Sequence, residues 1–264
     1  MTPAIHRHER FASVGSTNDV VRGWLAAGEP EICMAVADEQ TAGRGRNGRT
    51  WTAPPGAGLL LSLGFRPTWL APDQAWRLAA TVSIAMAEAA EAVAGLPAGT
   101  IRLKWPNDLV AIDDGVVNKL AGVLGETDGL GTDGPLAVVG IGLNTNWAEA
   151  DFPPELRSSM TSLRAMRGDR DVDDASILAA FVERLERGTL DLHDGRFAVG
   201  SWVDRQVTTG RTIELVDHDG STREHVAVGV DAETGALRIA DSAAEANERP
   251  IFVGDIRHVR LAGV

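Results

Sequence analysis

The apolar residues of this chain fall into short continuous runs and into longer segments with helical spacing. Runs of strand length predict buried strands, and they lie at residues 8–14, 32–40, 58–65, 119–127 and 135–144. A glycine-rich turn separates the last two runs, which predicts that they pair in the centre of a sheet. One more strand is predicted at 101–105, where apolar and basic side chains alternate until Pro106.

Three segments have apolar residues at the spacing of one helix face. The first follows Ser16, which forms with Asp19 a pair resembling a capping box, and it ends at Gly28. The other two cover about 74–95 and about 173–188. The sequence therefore predicts strands and helices mixed along the first two hundred residues.

The texture of the sequence changes after about residue 206. Short alternating segments meet at turn signals between there and the C-terminus, which is typical of a small all-β domain of barrel type. We therefore predict a larger domain at 1–203 and a small all-β domain at 204–264.

Composition and charge restrict the class of protein. The 264 residues carry a formal net charge of -12, which disfavours a general nucleic-acid binder because phosphate neutralisation dominates such affinity. The single cysteine, Cys33, permits no intrachain disulfide. The N-terminus lacks the apolar region of a signal peptide and no run is long enough to cross a membrane. We expect a cytoplasmic protein without nucleic-acid or membrane partners.

The most unusual stretch is QTAGRGRNGRTW at 40–51, which contains the spacing G-x-G-x-x-G. A dinucleotide-binding turn needs a helix directly after these glycines, but Pro54, Pro55 and Gly56 follow and the next element is a strand. A phosphate-binding Walker loop is excluded because no G-K-[ST] is present. The stretch is either a solvated turn or a flexible cationic loop that binds an anionic ligand.

Other strings favour the ligand-binding interpretation. In order, STN (16–18), GRGRNGRTW (43–51), KWPNDL (104–109), KLAGVLGE (119–126) and GIGLN (140–144) resemble the catalytic module of biotin protein ligases. The resemblance extends from about residue 10 to the C-terminus. It implies an α+β fold with a class II synthetase-like mixed sheet, shared by biotin and lipoate ligases, and a small C-terminal SH3-like β-barrel.

The resemblance also implies an ATP-dependent reaction in two steps. Biotin and ATP form biotinyl-5′-AMP, and a lysine of a biotin carboxyl carrier protein then takes the biotinyl group. Catalytic roles are implied for Lys119, Arg46 and Asp108. Contacts to biotin are implied for Ser16, Thr17, Asn18, Gln40, Gly43, Arg44, Gly45, Arg46, Trp105, Lys119, Gly122 and Leu124. Contacts to the nucleotide are implied for Arg46, Arg49, Trp51, Asn107, Lys119 and Asn144.

Three of these residues have an alternative role. Lys119 could form a structural ion pair, Trp51 could be a core residue, and Asp108 could accept the proton of the attacking lysine, orient Lys119 or help to place Mg²⁺. We expect Mg²⁺ to bind mainly through the phosphates of ATP, without a dedicated metal site.

Two other functions compete with the ligase. A non-catalytic module that senses biotin or its adenylate predicts loss of Lys119 or of the loop arginines, and all are present. A lipoate or octanoate ligase on the same fold predicts a different glycine-rich loop. Because the predicted ligand contacts begin at Ser16, we expect this chain to be a ligase without the operator-binding domain of regulatory family members. The link at 110–118, between two of the strings that carry the resemblance, is longer than in most family members. The sequence does not distinguish a monomer from a dimer.

Overall fold

The structure is a computed structural model that describes residues 5–216, 221–241, 247–252 and 258–261. Its larger part is a mixed sheet of seven strands in the order β1-β2-β3-β7-β6-β5-β4, in which only β1 and β2 are parallel. The strands are β1 Arg7–Phe11, β2 Cys33–Ala37, β3 Gly58–Phe65, β4 Arg102–Lys104, β5 Asp108–Asp113, β6 Val116–Asp128 and β7 Leu136–Asn144. The predicted α+β class and the pairing of β6 with β7 are confirmed.

Five α-helices accompany the sheet in the described part of the chain. They are α1 Thr17–Ala26, α2 Trp76–Ala94, α3 Leu163–Met166, α4 Asp174–His193 and α5 Val199–Asp204. The three helices predicted from spacing correspond to α1, α2 and α4, although α4 continues to His193. Among the described residues, no helix combines the length and apolar character that a membrane crossing requires.

The two faces of the sheet have different partners. Ile141 and Leu143 of β7 belong to the main hydrophobic core, which includes residues of α2 and α4. On the opposite face, α1 packs beside Val138, and Gly140 and Gly142 present no side chain. The alternation of glycine with branched residues in β7 thus builds a core on one face and leaves space on the other.

A second, antiparallel sheet follows the first. It has the order β11-β10-β9-β8-β12, with strands β8 Thr212–Val216, β9 Thr222–Val230, β10 Leu237–Ala240, β11 Arg249–Ile251 and β12 His258–Leu261. Residues 253–257, within the predicted alternating segments, lie outside the described residues. This arrangement agrees with the predicted small all-β domain.

The segment between the two sheets is bonded to the first one. Val207 donates its N–H to the carbonyl of Leu103 at 2.9 Å, and Trp105 donates its N–H to Oγ1 of Thr208 at 3.1 Å. The buried guanidinium of Arg205 forms a bidentate pair with Glu91 of α2, at 2.8 and 2.9 Å. Residues 205–208, just after the predicted boundary, are thus bonded to the larger part of the protein. The division into domains at 1–203 and 204–264 stays a prediction.

Candidate active site

A cavity of about 610 Å³ lies on the face of the sheet that carries α1. Its floor is formed by strands β6 and β7 where Gly122 and Gly142 stand opposite each other. The predicted site residues that line it are Ser16, Thr17, Asn18, Gln40, Arg44, Gly45, Arg46, Arg49, Trp51, Asn107, Asp108, Lys119, Gly122, Leu124 and Asn144. Chain segments that are far apart in sequence thus meet at one cavity.

Two predicted residues do not line this cavity. Gly43 is buried beside it, where an added Cβ would lie 2.4 Å from the carbonyl oxygen of Trp51. Trp105 packs into the apolar cluster of the second sheet with Ile213 and Leu237, and its Nε1 donates to the carbonyl of Gly235 at 2.9 Å. Trp105 thus packs at the contact between the two sheets and not in the lining of this cavity, and the biotin contact implied for it stays a prediction.

At one end of the cavity, uncharged polar side chains form a buried network. The carbonyl oxygen of the Gln40 side chain accepts the N–H of Thr17 at 2.8 Å. Hydroxyls of Thr17 and Ser62 are 2.6 Å apart, and Ser62 donates to Oδ1 of Asn18 at 2.6 Å. Nδ2 of Asn18 donates to Glu126 at 2.8 Å. This end of the cavity offers neutral donors and acceptors.

The prediction that Ser16 and Asp19 form a capping box is wrong. Ser16 occupies the N-cap position of α1, but its side chain accepts no hydrogen bond from the helix. Asp19 is bound instead by the two terminal nitrogens of Arg44, at 2.7 and 2.8 Å. The guanidinium of Arg44 lowers the pKa of Asp19. Oε1 of Gln40 accepts the N–H of Thr17, one of the first N–H groups of α1, which have no acceptor within the helix.

The other end of the cavity is cationic around a carboxylate. Nζ of Lys119 lies 2.8 Å from Oδ1 of Asp108, and both side chains remain partly exposed. Strands β5 and β6 bring them together across a register shift, since Leu109 pairs with Ala121 whereas Val110 pairs with Lys119. The extra residue, Leu120, turns into the core, as expected at a bulge that redirects neighbouring side chains.

Arg46 and Arg49 add positive charge beside this pair. Burial lowers the pKa of Arg46; the carboxylate of Asp108 opposes this, and the neighbouring Arg49 lowers it further. A buried guanidinium is stabilised by any anion that enters the cavity. The short 3₁₀ segment Arg46–Gly48 holds Asn47 and Gly48 at positive φ, so the glycine-rich stretch is a loop and not the start of a helix.

Trp51 lies directly on the glycine floor. A Cβ added to Gly142 would come within 2.5 Å of its indole ring, and one added to Gly122 within 3.0 Å. Nζ of Lys119 is 5.5 Å from the centre of that ring. Nε1 of Trp51 is buried without a hydrogen-bond partner in the described structure. The glycines therefore make room for a flat ring next to Lys119.

The two asparagines predicted to contact the nucleotide each donate one side-chain hydrogen bond to the backbone. Asn107 donates through Nδ2 to the carbonyl of Val123 at 2.8 Å, and Asn144 donates likewise to Thr161 at 3.0 Å. Each amide retains its oxygen for a ligand. The segment that contains Thr161 continues the wall of the cavity, because Lys119 exchanges backbone hydrogen bonds with Ser159 and Thr161, both 2.8 Å.

Sequence reasoning missed Ser62 and assigned no role to Glu126. Ser62 is the one polar side chain of the apolar strand β3 and is fully buried, which was an available signal. Glu126 closes the string KLAGVLGE, but its partners come from α1 and the loop. A second cavity of about 260 Å³ is lined by residues of α2 and β6 and by Trp105 and Gln206, and it shares Arg46, Asn107 and Asp108 with the first cavity.

No group of three or more His, Cys, Asp and Glu side chains in the described ranges is arranged to hold a metal ion. Asp108 is paired with Lys119. The chemistry of the cavity is thus one of fixed cations, one carboxylate and a neutral polar end.

A family model and the sequences of known proteins identify the same family. Residues 11–146 match the model of the Biotin/lipoate A/B protein ligase family. The Biotin--[acetyl-CoA-carboxylase] ligase of Paracoccus denitrificans is 32% identical over 220 residues, which cover 81% of this chain and 86% of that protein.

A second relative is longer. The Bifunctional ligase/repressor BirA of Bacillus spizizenii is 32% identical over 165 residues, which cover 62% of this chain and 48% of that protein. The match thus spans about half the length of this relative. Among solved structures, the biotin protein ligase from Aquifex aeolicus in complex with biotin and ATP superposes with a TM-score of 0.77 at 25% identity, covering 98% of this chain and all of that one.

Proposed function

This chain belongs to the biotin/lipoate A/B protein ligase family, and on that premise we propose that it is an ATP-dependent biotin protein ligase. It forms biotinyl-5′-AMP from biotin and ATP and transfers the biotinyl group to a lysine of a biotin carboxyl carrier protein. The names of the relatives support this substrate and the carrier of a carboxylase as partner.

The observation that carries the proposal is the unlike chemistry of the two ends of the cavity. Thr17, Asn18 and Gln40 supply neutral donors and acceptors at one end, which suit the uncharged ureido ring of biotin. Arg46, Arg49 and Lys119 supply fixed positive charge at the other, which suits a carboxylate and phosphates. A molecule with a neutral head and an anionic tail fits this polarity.

In the first step a carboxylate oxygen of biotin attacks the α-phosphorus of ATP, and pyrophosphate leaves with the electrons of the broken P–O bond. Two anions must approach each other, and negative charge grows on the phosphate oxygens. Lys119 offsets this charge from strand β6 and Arg46 offsets it from the loop, so less solvent has to reorganise during the reaction. Lys119 is therefore the principal catalytic residue for adenylation.

In the second step the ε-amine of the carrier lysine attacks the acyl carbon and AMP leaves. The amine must lose a proton, and Asp108 is the carboxylate that lines the cavity beside Lys119. Its Oδ1 is held by Lys119, so Oδ2 is the oxygen that accepts the proton. Lys119 stabilises the charge on the departing phosphate, as in the first step.

The loop 43–51 encloses the activated intermediate. Its arginines gain phosphate partners when the ligand binds, and its glycines allow the change of backbone conformation. Trp51 stacks on the adenine or remains on the glycine floor beside it; either position excludes water from the acyl phosphate.

Mg²⁺ would bind chiefly through the phosphates of ATP, which is usual for this ion. It would then neutralise part of the phosphate charge. Asp108 is paired with Lys119, and Arg46 and Arg49 are left to orient the phosphates.

The proposed ligase acts in the cytoplasm. Its catalytic domain covers residues 1–203, and its small β domain, at 204–264, has the SH3-like form of the family.

Biotin-dependent release of pyrophosphate from ATP, measured without any carrier, tests the proposal. We expect a burst of about one pyrophosphate per active site with biotin and none with lipoate or octanoate. A sensing module would bind biotin without any burst. A lipoate or octanoate ligase would reverse the substrate preference. Either result would refute the proposed function.

A further inference from the structure

We propose that Glu126 is a positioning residue that sets the affinity for biotin by fixing the amide of Asn18 and by holding Arg44 of the loop. This inference rests on the proposed function, because it concerns the residues that receive the neutral head of biotin. Glu126 lies near the end of β6 and is partly exposed, with 25% of its side chain accessible.

The orientation of the Asn18 amide depends on its partners. The side chain is buried, with 4% of the residue exposed. Its Oδ1 accepts from Ser62 and its Nδ2 donates to Glu126. The hydroxyl of Ser62 can donate or accept, so it tolerates either end of the amide, whereas an ionised carboxylate only accepts. Glu126 therefore decides which end of the amide faces which partner.

The surroundings of Asn18 leave it little freedom to compensate. A Cβ added to Gly140 would lie 2.1 Å from Oδ1 of Asn18, so the amide sits against bare backbone. Thr17 and Gln40 are bonded to the same network. A rotated Asn18 amide would change the hydrogen-bonding pattern that the whole neutral end presents to a ligand.

The same carboxylate also reaches the loop. Oε2 of Glu126 is 3.4 Å from Nη2 of Arg44, which Asp19 binds from the other side at 2.8 Å. Arg22 of α1 lies 3.4 Å from Oε2 as well. These two guanidiniums make charge-assisted contacts with the same carboxylate that accepts from Asn18. One side chain thus links the neutral end of the cavity to the cationic loop.

The test uses the isosteric variant Glu126→Gln, whose amide can donate or accept and carries no charge. We expect the dissociation constant for biotin, measured by calorimetry without ATP, to rise about tenfold, as for a lost hydrogen bond to a charged group. At saturating biotin, the rate constant of the pyrophosphate burst should stay within about twofold of the wild type, since Glu126 touches no reacting atom. Glu183→Gln, at an exposed ion pair on α4, is the matched control and should leave both values unchanged.

A double-mutant cycle with Asn18→Ala separates positioning from a general loss of structure. If Glu126 acts through Asn18, most of the tenfold loss disappears in the Asn18→Ala background. An undiminished loss there, or a Glu126→Gln affinity within twofold of the wild type, overturns the inference while the proposed function stands. If the wild-type protein itself does not bind biotin, the proposed function falls as well.

Discussion

Lys119 and Asp108 form an ion pair of 2.8 Å at the cationic end of the cavity, and neither side chain is fully buried. Residues on adjacent strands meet there because β6 contains one more residue than β5 at this point. Both possibilities left open by the sequence are thus combined: Lys119 has a carboxylate partner and lines the cavity at the same time. The pair holds the ammonium in place before any substrate arrives.

Replacing Lys119 by alanine should abolish most of the activity without unfolding the protein. Removal of one electrostatic group that acts on the transition state lowers the rate by about 10²–10³. We expect this loss in both adenylation and transfer, measured separately in single-turnover experiments, with a circular dichroism spectrum like that of the wild type. Turnover at the wild-type rate would remove Lys119 from the mechanism.

Replacing Arg46 by glycine should release the adenylate. The guanidinium is partly buried in the wall of the cavity, where an acyl phosphate would compensate for its lost hydration. We expect free biotinyl-5′-AMP to accumulate in solution, as measured by quenching and chromatography. Arg10→Gly, which removes an exposed pair with Asp38, is the control. If release by Arg46→Gly equals that of the control, the loop does not retain the intermediate.

The buried pair of Glu91 and Arg205 should be important for stability. Both side chains are at least nine-tenths buried, and Glu91 also accepts the N–H of Ile101 at 2.8 Å. Removing one partner leaves an uncompensated buried charge, which costs about 3–5 kcal/mol. We expect Glu91→Ala to lower the free energy of unfolding by this amount in urea denaturation. A loss below about 1 kcal/mol would show that water reaches Arg205.

Cys33 should be unreactive in the folded protein. Burial raises the pKa of its thiol to about 11, and the nearby Glu29 acts in the same direction. With this pKa, only about one thiol in a thousand is ionised at pH 8. Alkylation is slow because the thiolate is the nucleophile. We expect iodoacetamide to modify Cys33 only after unfolding in urea, as followed by mass spectrometry. A raised pKa favours the protonated thiol, so native reactivity should rise about tenfold per pH unit and level off only above about pH 11. Rapid labelling of the native protein at pH 8 would contradict this placement.

The sequence predicted the sheet best where burial is complete on both faces. Strand β3 has the predicted bounds because all eight of its residues are buried. Strand β2 is shorter than predicted, since the chain leaves the sheet after Ala37 towards Gln40 and the loop. Apolar pattern alone does not distinguish a strand from the extended segment that follows it.

The motifs predicted most of the residues that line the site. They did not predict those contacts in which a side chain pairs with a residue from a distant part of the sequence. Periodicity indicated that Trp105 is buried, but it could not tell which of two cores receives the ring. Ser16 has the residue type of a cap, yet the tertiary partner Arg44 binds Asp19 and leaves the capping box unformed. Glu126 acquires its role only when α1 and the loop meet β6.

Transfer to a carrier tests the central claim most directly. The protein is incubated with biotin, ATP, Mg²⁺ and a biotin carboxyl carrier domain, and the mass of the intact carrier is followed with time. We predict a gain of one biotinyl group on one lysine, no gain with lipoate in place of biotin, and none with Lys119→Ala. An unmodified carrier in the presence of biotin, or a carrier that gains a lipoyl group instead, would contradict the assignment.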